Sequence, residues 1–366
     1  MNINHTYRPL GDFIRPVDIR NKDLSVTKLL GLSIEKCFIP SIANTIGTDM
    51  SSYKIVKQNQ FAYGPVTSRN GDKITIALYD GTDNAIISQA YSVFEIANTD
   101  ELNPKYLFMW FSRPEFDRYA RYKSHGSARE IFDWQTMCET MIPVPSIDDQ
   151  RRIVSEYETV QRRIDNNRQL INKLEETAQT LYKKMFVDGI DKENLPEGWR
   201  MGKLGEVCEI ITGKKDVNEA LENGEYRFFS CSPNHYYSNE YIGEGPAIII
   251  AGNGSYTGRV SYYEEKFDLY QRTYACLAKT IYKKMSPYLY CVMKYEFEPQ
   301  YLGGTRGSSI PYIVKGDLSE FSFIINKQCE DFSKKIQILI SNNFFLEEEN
   351  KKLLTLQKLM LSGMGR

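Results

Sequence analysis

The 366-residue chain predicts an α+β fold in which two mixed, β-rich modules are separated by two long helices that pair as an antiparallel coiled coil. The sequence reads as two similar halves, which indicates an internal repeat with pseudo-twofold symmetry. A heptad pattern follows the first module, and a second one ends the chain. We therefore expect modules at residues 1–147 and 189–328, the latter beginning with a linker at 189–199, and long helices at 148–188 and 329–366.

The repeat is visible as the same order of short motifs in both halves. The segment that opens the first module, residues 10–14 (LGDFI), is similar to residues 204–208 (LGEVC). A Gly-Ser loop comes late in each module, followed by a short apolar strand and then by a charged helix. The loops are Gly126-Ser127 and Gly307-Ser308, and the strands are 141–145 (MIPVP) and 321–325 (FSFII).

The first long helix has clear start and stop signals. Ser146 can cap its N-terminus, Asp148 and Asp149 complement the helix dipole, and Gly189 ends it. Apolar positions inside it alternate at spacings of four and three, which is typical of a coiled-coil seam. With the polar Asn167 included, the seam positions are Ile153, Tyr157, Val160, Ile164, Asn167, Ile171, Leu174, Ala178, Leu181 and Met185.

The second helix has a comparable but more polar seam, at Ile336, Leu339, Asn343, Leu346, Asn350, Leu353, Gln357 and Met360. Asn167 and Asn343 fall at equivalent places in the two halves, and a buried seam Asn selects register at a cost in stability. We expect the two helices to pair with each other within the chain. The alternative is that each helix packs only onto its own module.

Charge and composition limit the classes of protein. There are 46 basic and 47 acidic residues, and the first 147 residues contain 16 of each kind, so no general basic excess marks a free-standing nucleic-acid binder. The seven scattered cysteines form no CxxC pair, which favours reduced thiols in the cytoplasm. The N-terminus does not look like a signal peptide, and the apolar run 247–251 is too short for a membrane span.

Catalytic motifs are not apparent in the sequence. Gly213-Lys214-Lys215 lacks the spacing of a phosphate-binding loop, and the glycine-rich residues 252–258 favour a tight turn over a phosphate cradle. Cys231 and His235 have ligand spacing but lack a second pair, so we expect no zinc site. These features predict a binding protein that is not an enzyme and holds no metal.

Five segments of the chain form a recognisable pattern. They are 61–74 (FAYGPVTSRNGDKI), 124–129 (SHGSAR), 142–145 (IPVP), 149–153 (DQRRI) and 302–311 (LGGTRGSSIP). With these segments the chain resembles the specificity subunit of Type I restriction-modification systems, often called HsdS, over essentially its whole length. The second half departs from the pattern at Ile324-Ile325-Asn326, where the first half has Pro-Val-Pro.

The resemblance implies that each module is a target recognition domain that reads one part of a split double-stranded DNA sequence. It also implies that the helices set the distance between the modules and dock two modification (methyltransferase) subunits. Restriction/translocase subunits complete such an assembly. S-adenosylmethionine, ATP and Mg²⁺ are then expected in the partner subunits and no cofactor in this chain.

Base reading commonly uses Arg for guanine and Asn for adenine, while hydroxyl groups hold phosphates. On these grounds the first-module candidates for DNA contact are Thr67, Ser68, Arg69, Asn70, Lys73, Ser124, His125, Ser127 and Arg129. The second-module candidates are Asn253, Ser255, Tyr256, Thr257, Arg259, Arg272, Thr305, Arg306, Ser308 and Ser309. Residues 69–72 (RNGD) also fit a purely structural hairpin turn.

Two functions stay open at this point. In the first, the chain is a DNA specificity subunit whose own DNA affinity is weak and becomes strong in the assembled complex, where partners contribute phosphate contacts. In the second, it is a coiled-coil scaffold that presents two β-rich protein-binding modules and contacts no DNA.

Overall fold

The structure, a computed structural model, describes residues 6–41, 47–68, 70–126, 129–234, 236–301 and 312–365. The chain forms two compact units, Met1–Asp165 with Asn350–Arg366, and Asn166–Glu349. Each unit therefore holds one module and a part of both long helices. The predicted domain boundaries stay a prediction, because these units follow contacts and divide the helices. Within the described ranges, no helix combines the length and apolar character that a membrane span requires.

The first module alternates short strands with three helices. Its helices are α1 (Pro104–Phe111), α2 (Pro114–Lys123) and α3 (Trp134–Glu139). Its strands are β1 (Tyr7–Pro9), β2 (Ile14–Val17), β3 (Leu30–Leu32), β4 (Phe38–Pro40), β5 (Lys54–Val56), β6 (Phe61–Tyr63), β7 (Ile76–Leu78), β8 (Ala85–Ile87), β9 (Ser92–Ile96) and β10 (Met141–Pro143). The long helix α4 follows at Ile147–Phe186.

The second module has a similar element order. Its helical segments are α5 (Leu204–Val207), α6 (Ser286–Val292), which continues into a π-helical turn at Met293–Phe297, and α7 (Lys315–Ser319). Its strands are β11 (Arg200–Lys203), β12 (Cys208–Thr212), β13 (Tyr226–Phe229), β14 (Tyr236–Ser238), β15 (Ala247–Ala251), β16 (Val260–Tyr263), β17 (Phe267–Leu269), β18 (Thr273–Ala278) and β19 (Ser322–Ile325). The long helix α8 follows at Gln328–Gly363.

The main sheets of the two modules have the same topology. In the first, the strands lie in the order β2-β9-β6-β7, and in the second they lie in the order β12-β18-β15-β16, each with antiparallel neighbours. The opening strand of each module also pairs antiparallel with its closing strand, β1 with β10 and β11 with β19. The predicted internal repeat and the α+β fold class are therefore confirmed.

In the second unit the long helices run antiparallel. Asn167 Nδ2 donates to Glu349 Oε2 at 2.7 Å, and Asn343 Nδ2 lies 3.5 Å from Glu175 Oε1, so rising numbers on α4 meet falling numbers on α8. In the first unit Gln357 Nε2 donates to Gln161 Oε1 at 2.8 Å. Every predicted seam position on both helices is buried or partly buried. The predicted antiparallel pair is confirmed.

Each long helix packs onto a module as well as pairing, so the alternative of packing only onto its own module is wrong. In the second unit Tyr182 and Phe186 of α4 lie in one aromatic cluster with Tyr288 of α6 and Phe332 of α8; the ring centroids of Phe186 and Tyr288 are 4.7 Å apart. In the first unit Val154 of α4 packs into the module core. Pairing and packing onto modules thus occur together.

Near its start, each long helix has one side chain that bonds it to a module, Gln150 in α4 and Ser333 in α8. The predicted cap is present, since the Asp149 N–H donates to Ser146 Oγ at 3.2 Å. One turn on, the fully buried Gln150 accepts from the Asn103 N–H and donates to the carbonyls of Glu101 and Pro145, all at 2.8 to 2.9 Å. In the second module Ser333 Oγ accepts from the Tyr288 N–H at 3.1 Å. Each long helix is thereby fixed to the first turn of a module helix.

Candidate nucleic-acid interface

Two candidate loops of the first module lie against each other. The turn between β6 and β7 contains Thr67, and the segment after α2 contains Ser124 and Glu130. The Thr67 N–H donates to the Glu130 carbonyl at 2.9 Å, and the Thr67 hydroxyl donates to Ser124 Oγ at 2.9 Å. Thr67 is only 2% exposed. Its hydroxyl therefore joins the two loops from inside the module.

Asn70 has a similar inward role. Its Nδ2 donates to the Val66 carbonyl at 3.3 Å and to Thr75 Oγ1 at 3.0 Å, which closes the turn. Lys73 is partly buried and pairs with Glu35 at 2.7 Å. Asn70 and Lys73 thus meet other groups of the module.

The remaining first-module candidates divide into exposed and undescribed residues. Ser68, His125 and Arg129 are exposed on the two loops. Arg69 and Ser127 lie outside the described residues. The structure thus brings Thr67, Ser68, Asn70 and Ser124 together beside His125, and we call this group the first loop cluster.

The end of α2 adds groups that the sequence did not single out. Arg121 forms an ion pair with Glu130 of the loop cluster, and Tyr122 is 81% exposed. Lys123 Nζ lies 6.0 Å from the centre of the Tyr119 ring. A basic helix end with an exposed aromatic ring resembles the combination of positive charge and stacking rings that binds single-stranded nucleic acid. Its sequence signal, RYARYK at residues 118–123, was available but falls inside a helix rather than in a loop.

In the second module the glycine-rich residues 252–258 form the turn between β15 and β16, as predicted. Gly254 and Gly258 have φ of +82° and +89°, values that favour glycine. Asn253, Ser255 and Tyr256 of this turn line a pocket of about 270 Å³. Its other walls come from Val217, from the segment Ser230–Ser232 and from Tyr236 and Tyr270. Four segments of the module therefore meet at one solvent-facing pocket, and together they are the second loop cluster.

Of three further candidates in this module, Thr257 and Arg259 hold the loops with their side chains, and Arg272 does so only with its backbone carbonyl. Thr257 is buried, and its hydroxyl donates to the Gly254 carbonyl at 2.7 Å. Arg259 Nη2 donates to the Ser232 carbonyl at 2.8 Å, and burial lowers the pKa of this guanidinium. Arg272 is exposed, while its carbonyl accepts from Cys231 Sγ at 3.3 Å and from the Gly252 N–H at 2.9 Å.

The last candidates, Thr305, Arg306, Ser308 and Ser309, lie outside the described residues, as does His235 of the Cys-His pair. The charges that surround the first-module loops are largely compensated, because Lys73, Arg118 and Arg121 each pair with a carboxylate. The neutral balance seen in the composition thus recurs locally around this loop cluster.

The chain is similar to curated specificity subunits of Type I restriction enzymes. It is 34% identical over 152 residues, 40% of this chain, to the EcoDI specificity subunit of Escherichia coli, and the matched stretch spans 32% of that protein. It is 21% identical over 295 residues, 71% of this chain, to the MjaIX specificity subunit of Methanocaldococcus jannaschii, with 67% of that protein covered. The chain thus spans about a third of the first relative and two thirds of the second.

Among solved structures, the S subunit of a Type I restriction-modification system from M. genitalium has the same fold. The TM-score is 0.66 at 19% identity, and the match covers 99% of this chain and 96% of that one. A family model for the Type I restriction modification DNA specificity domain matches twice, at residues 8–176 and 196–352. Both matches contain a module and its loop cluster, which confirms the predicted family. The chain belongs to the family of Type I restriction-modification DNA specificity domains.

Proposed function

We propose that this chain recognises a split double-stranded DNA sequence as the specificity subunit of a Type I restriction-modification complex and has no catalytic centre of its own. Each module reads one half of the site. The observation that supports this most directly is the repetition of one sheet topology, with a loop cluster at the same turn of the sheet in each copy. A repeated reader suits a DNA site that has two parts.

The charge of the chain indicates how its DNA affinity is divided among subunits. Phosphate contacts by Lys and Arg supply most sequence-independent affinity for DNA. With a net charge of −1 and paired cations beside the first loop cluster, this chain has few such contacts to offer. The chain alone is then a weak DNA binder, and the assembled complex is a strong one.

The partner subunits then supply the remaining contacts to DNA. The long helices dock two methyltransferase subunits, which bind S-adenosylmethionine, and restriction/translocase subunits use ATP and Mg²⁺. Activity on chromosomal DNA implies that the complex works in the cytoplasm. None of these cofactors is assigned to residues of this chain.

The test is selection of binding sequences from a library of random duplexes. The full chain, assembled with its methyltransferase subunits, should enrich two short sequences separated by a spacer of constant length. The chain alone should bind the enriched duplex at least about tenfold more weakly. If the assembled complex enriches no sequence, the DNA function is lost and the scaffold function takes its place.

A further inference from the structure

Each loop cluster contains a backbone junction of the same kind. In the second module the Ile313 N–H donates to the Gly252 carbonyl at 2.8 Å, and Asn253 forms an antiparallel bridge with Tyr312. In the first module the Phe132 N–H donates to the Pro65 carbonyl at 2.8 Å, and a bridge joins Val66 to Ile131. Each junction joins the first residues of the turn after the equivalent strands β6 and β15 to the segment that leads to the module's closing helix and strand.

The equivalence pairs residues by position. Val66 corresponds to Asn253, and Ile131 corresponds to Tyr312. Main-chain hydrogen bonds hold both pairs, so the pair positions do not depend on which side chains occupy them. Where the backbone fixes a position, the side chain there can differ between modules without a change in the scaffold. Such positions are suited to give two modules different specificities.

The side chains at these positions are chemically different in the two modules. Tyr312 is 67% exposed, and Asn253 lines the tyrosine-walled pocket. Within the described ranges, no hydrogen bond engages the Asn253 carboxamide, in contrast to Asn70, whose amide closes its own turn. The first-module pair is aliphatic, and Ile131 is 41% exposed. One module thus presents an amide that bonds no other described residue and lies beside aromatic rings, and the other presents branched alkyl groups.

We propose that these bridged pairs are the base-reading positions of the two modules, an inference that rests on the proposed DNA function. The Asn253 carboxamide, as both donor and acceptor, matches the N6 and N7 groups of adenine in the major groove. The pocket in front of it leaves space for a base edge to approach, and Tyr312 packs beside that base. Val66 and Ile131 match the methyl group of thymine, which is the apolar feature of that groove.

The experiment compares sequences that complexes enrich from random duplexes, using the full chain assembled with its methyltransferase subunits. The wild-type complex should require adenine at one position of the second half-site. Asn253→Asp, which can only accept, should change that position towards cytosine, and Asn253→Ala should reduce discrimination there by about 5- to 150-fold. The first half-site should not change in either variant.

Two further variants complete the design. Asn194→Asp places the same charge change on an exposed residue of the linker and should leave both half-sites unchanged. Val66→Asn should introduce a preference for adenine at one position of the first half-site. Urea unfolding of each variant shows whether it is folded.

The outcomes separate the two proposals. If the wild type enriches a split sequence and folded Asn253→Asp and Asn253→Ala complexes enrich the same one, the base-reading assignment is overturned while the DNA function stands. An unchanged first half-site in a folded Val66→Asn complex would overturn the equivalence of the two pairs. If the wild type enriches nothing, the DNA function itself fails.

Discussion

Asn167 of the first long helix donates its side-chain amide to the carboxylate of Glu349 on the second, at 2.7 Å. Asn167 is fully buried in the seam, and Asn343 of the second helix lies opposite Glu175 of the first. Each helix therefore contributes one seam Asn that meets a Glu of the other helix. Polar seam pairs of this kind favour one register over its neighbours, because any shift leaves a buried polar group without its partner.

Replacing Asn167 by Ala should lower the free energy of unfolding by about 1.5–3 kcal/mol, the usual contribution of a hydrogen bond to a charged group. Urea unfolding measures the change. Asn166→Ala, at the exposed neighbouring position of the same helix, is the matched control and should change stability by less than about 0.5 kcal/mol. Equal effects of the two variants would mean that the Asn167–Glu349 bond does not stabilise the helix pair.

Gln150→Leu should weaken the junction between the first module and its helix. The substitution leaves the Asn103 N–H and the carbonyls of Glu101 and Pro145 without the bonds that Gln150 supplies. Each buried unpaired group costs about 1–3 kcal/mol, so the loss should exceed about 2 kcal/mol. Gln135→Leu removes an exposed Gln that donates to Glu139 in α3 and serves as control in the same unfolding experiment. A loss no larger than that of the control would contradict the role of Gln150.

Glu298 should make the stability of the second unit depend on pH. Its side chain is buried beside Lys294, with Oε2 and Nζ 2.8 Å apart, and burial raises the pKa of its carboxyl above the usual 4.5. The folded state then holds the proton more tightly than the unfolded state. The contribution of the protonated Glu298 carboxyl to the free energy of unfolding is fully present below pH 4.5. It is lost as the pH rises through the raised pKa of the folded state.

The measurement is the difference in unfolding free energy between wild type and Glu298→Gln as a function of pH. The wild type should lose stability relative to the variant as the pH increases from about 4 upwards. Glu209→Gln, which removes an exposed carboxylate from the same unit, is the control. A difference that stays constant with pH for Glu298→Gln would show that burial does not shift this group.

Arg129→Ala should weaken DNA binding by the assembled complex without changing the recognised sequence. Arg129 is exposed on the first loop cluster. Under the proposed DNA function we expect its charge to contact a phosphate and not a base. Losing one phosphate contact lowers the slope of log affinity against log salt by about one. Arg15→Ala, which removes an exposed cation paired with Glu95, is the control. An unchanged salt slope in Arg129→Ala would remove this residue from the interface.

The coiled coil could be predicted from sequence because its signal is local. A heptad is a spacing rule within one helix, and the seam positions from Ile153 to Met185 follow it directly. Tyr182 and Phe186 fall outside that seam, and their burial against Tyr288 depends on a contact far away in the chain. A heptad pattern therefore predicts the pairing of the helices but not their packing onto the modules.

The sequence predicts which loops could contact DNA, but it does not predict the direction in which their side chains point. Thr67 and Asn70 have the composition of DNA-contacting residues, and both form hydrogen bonds inside the module. A short polar side chain serves a turn and a phosphate equally well, so residue type does not separate the two. The bridges from Val66 to Ile131 and from Asn253 to Tyr312 join distant segments and exist only in the folded chain.

Under the proposed function, two separate modules read the two halves of one DNA site. Residues 1–147 can be exchanged for the first module of another family member, and the motif that the complex methylates can then be sequenced. The exchange should change one half of the motif and leave the other half and the spacer as they were. A change in both halves, or in neither, would show that the modules do not read the two halves separately.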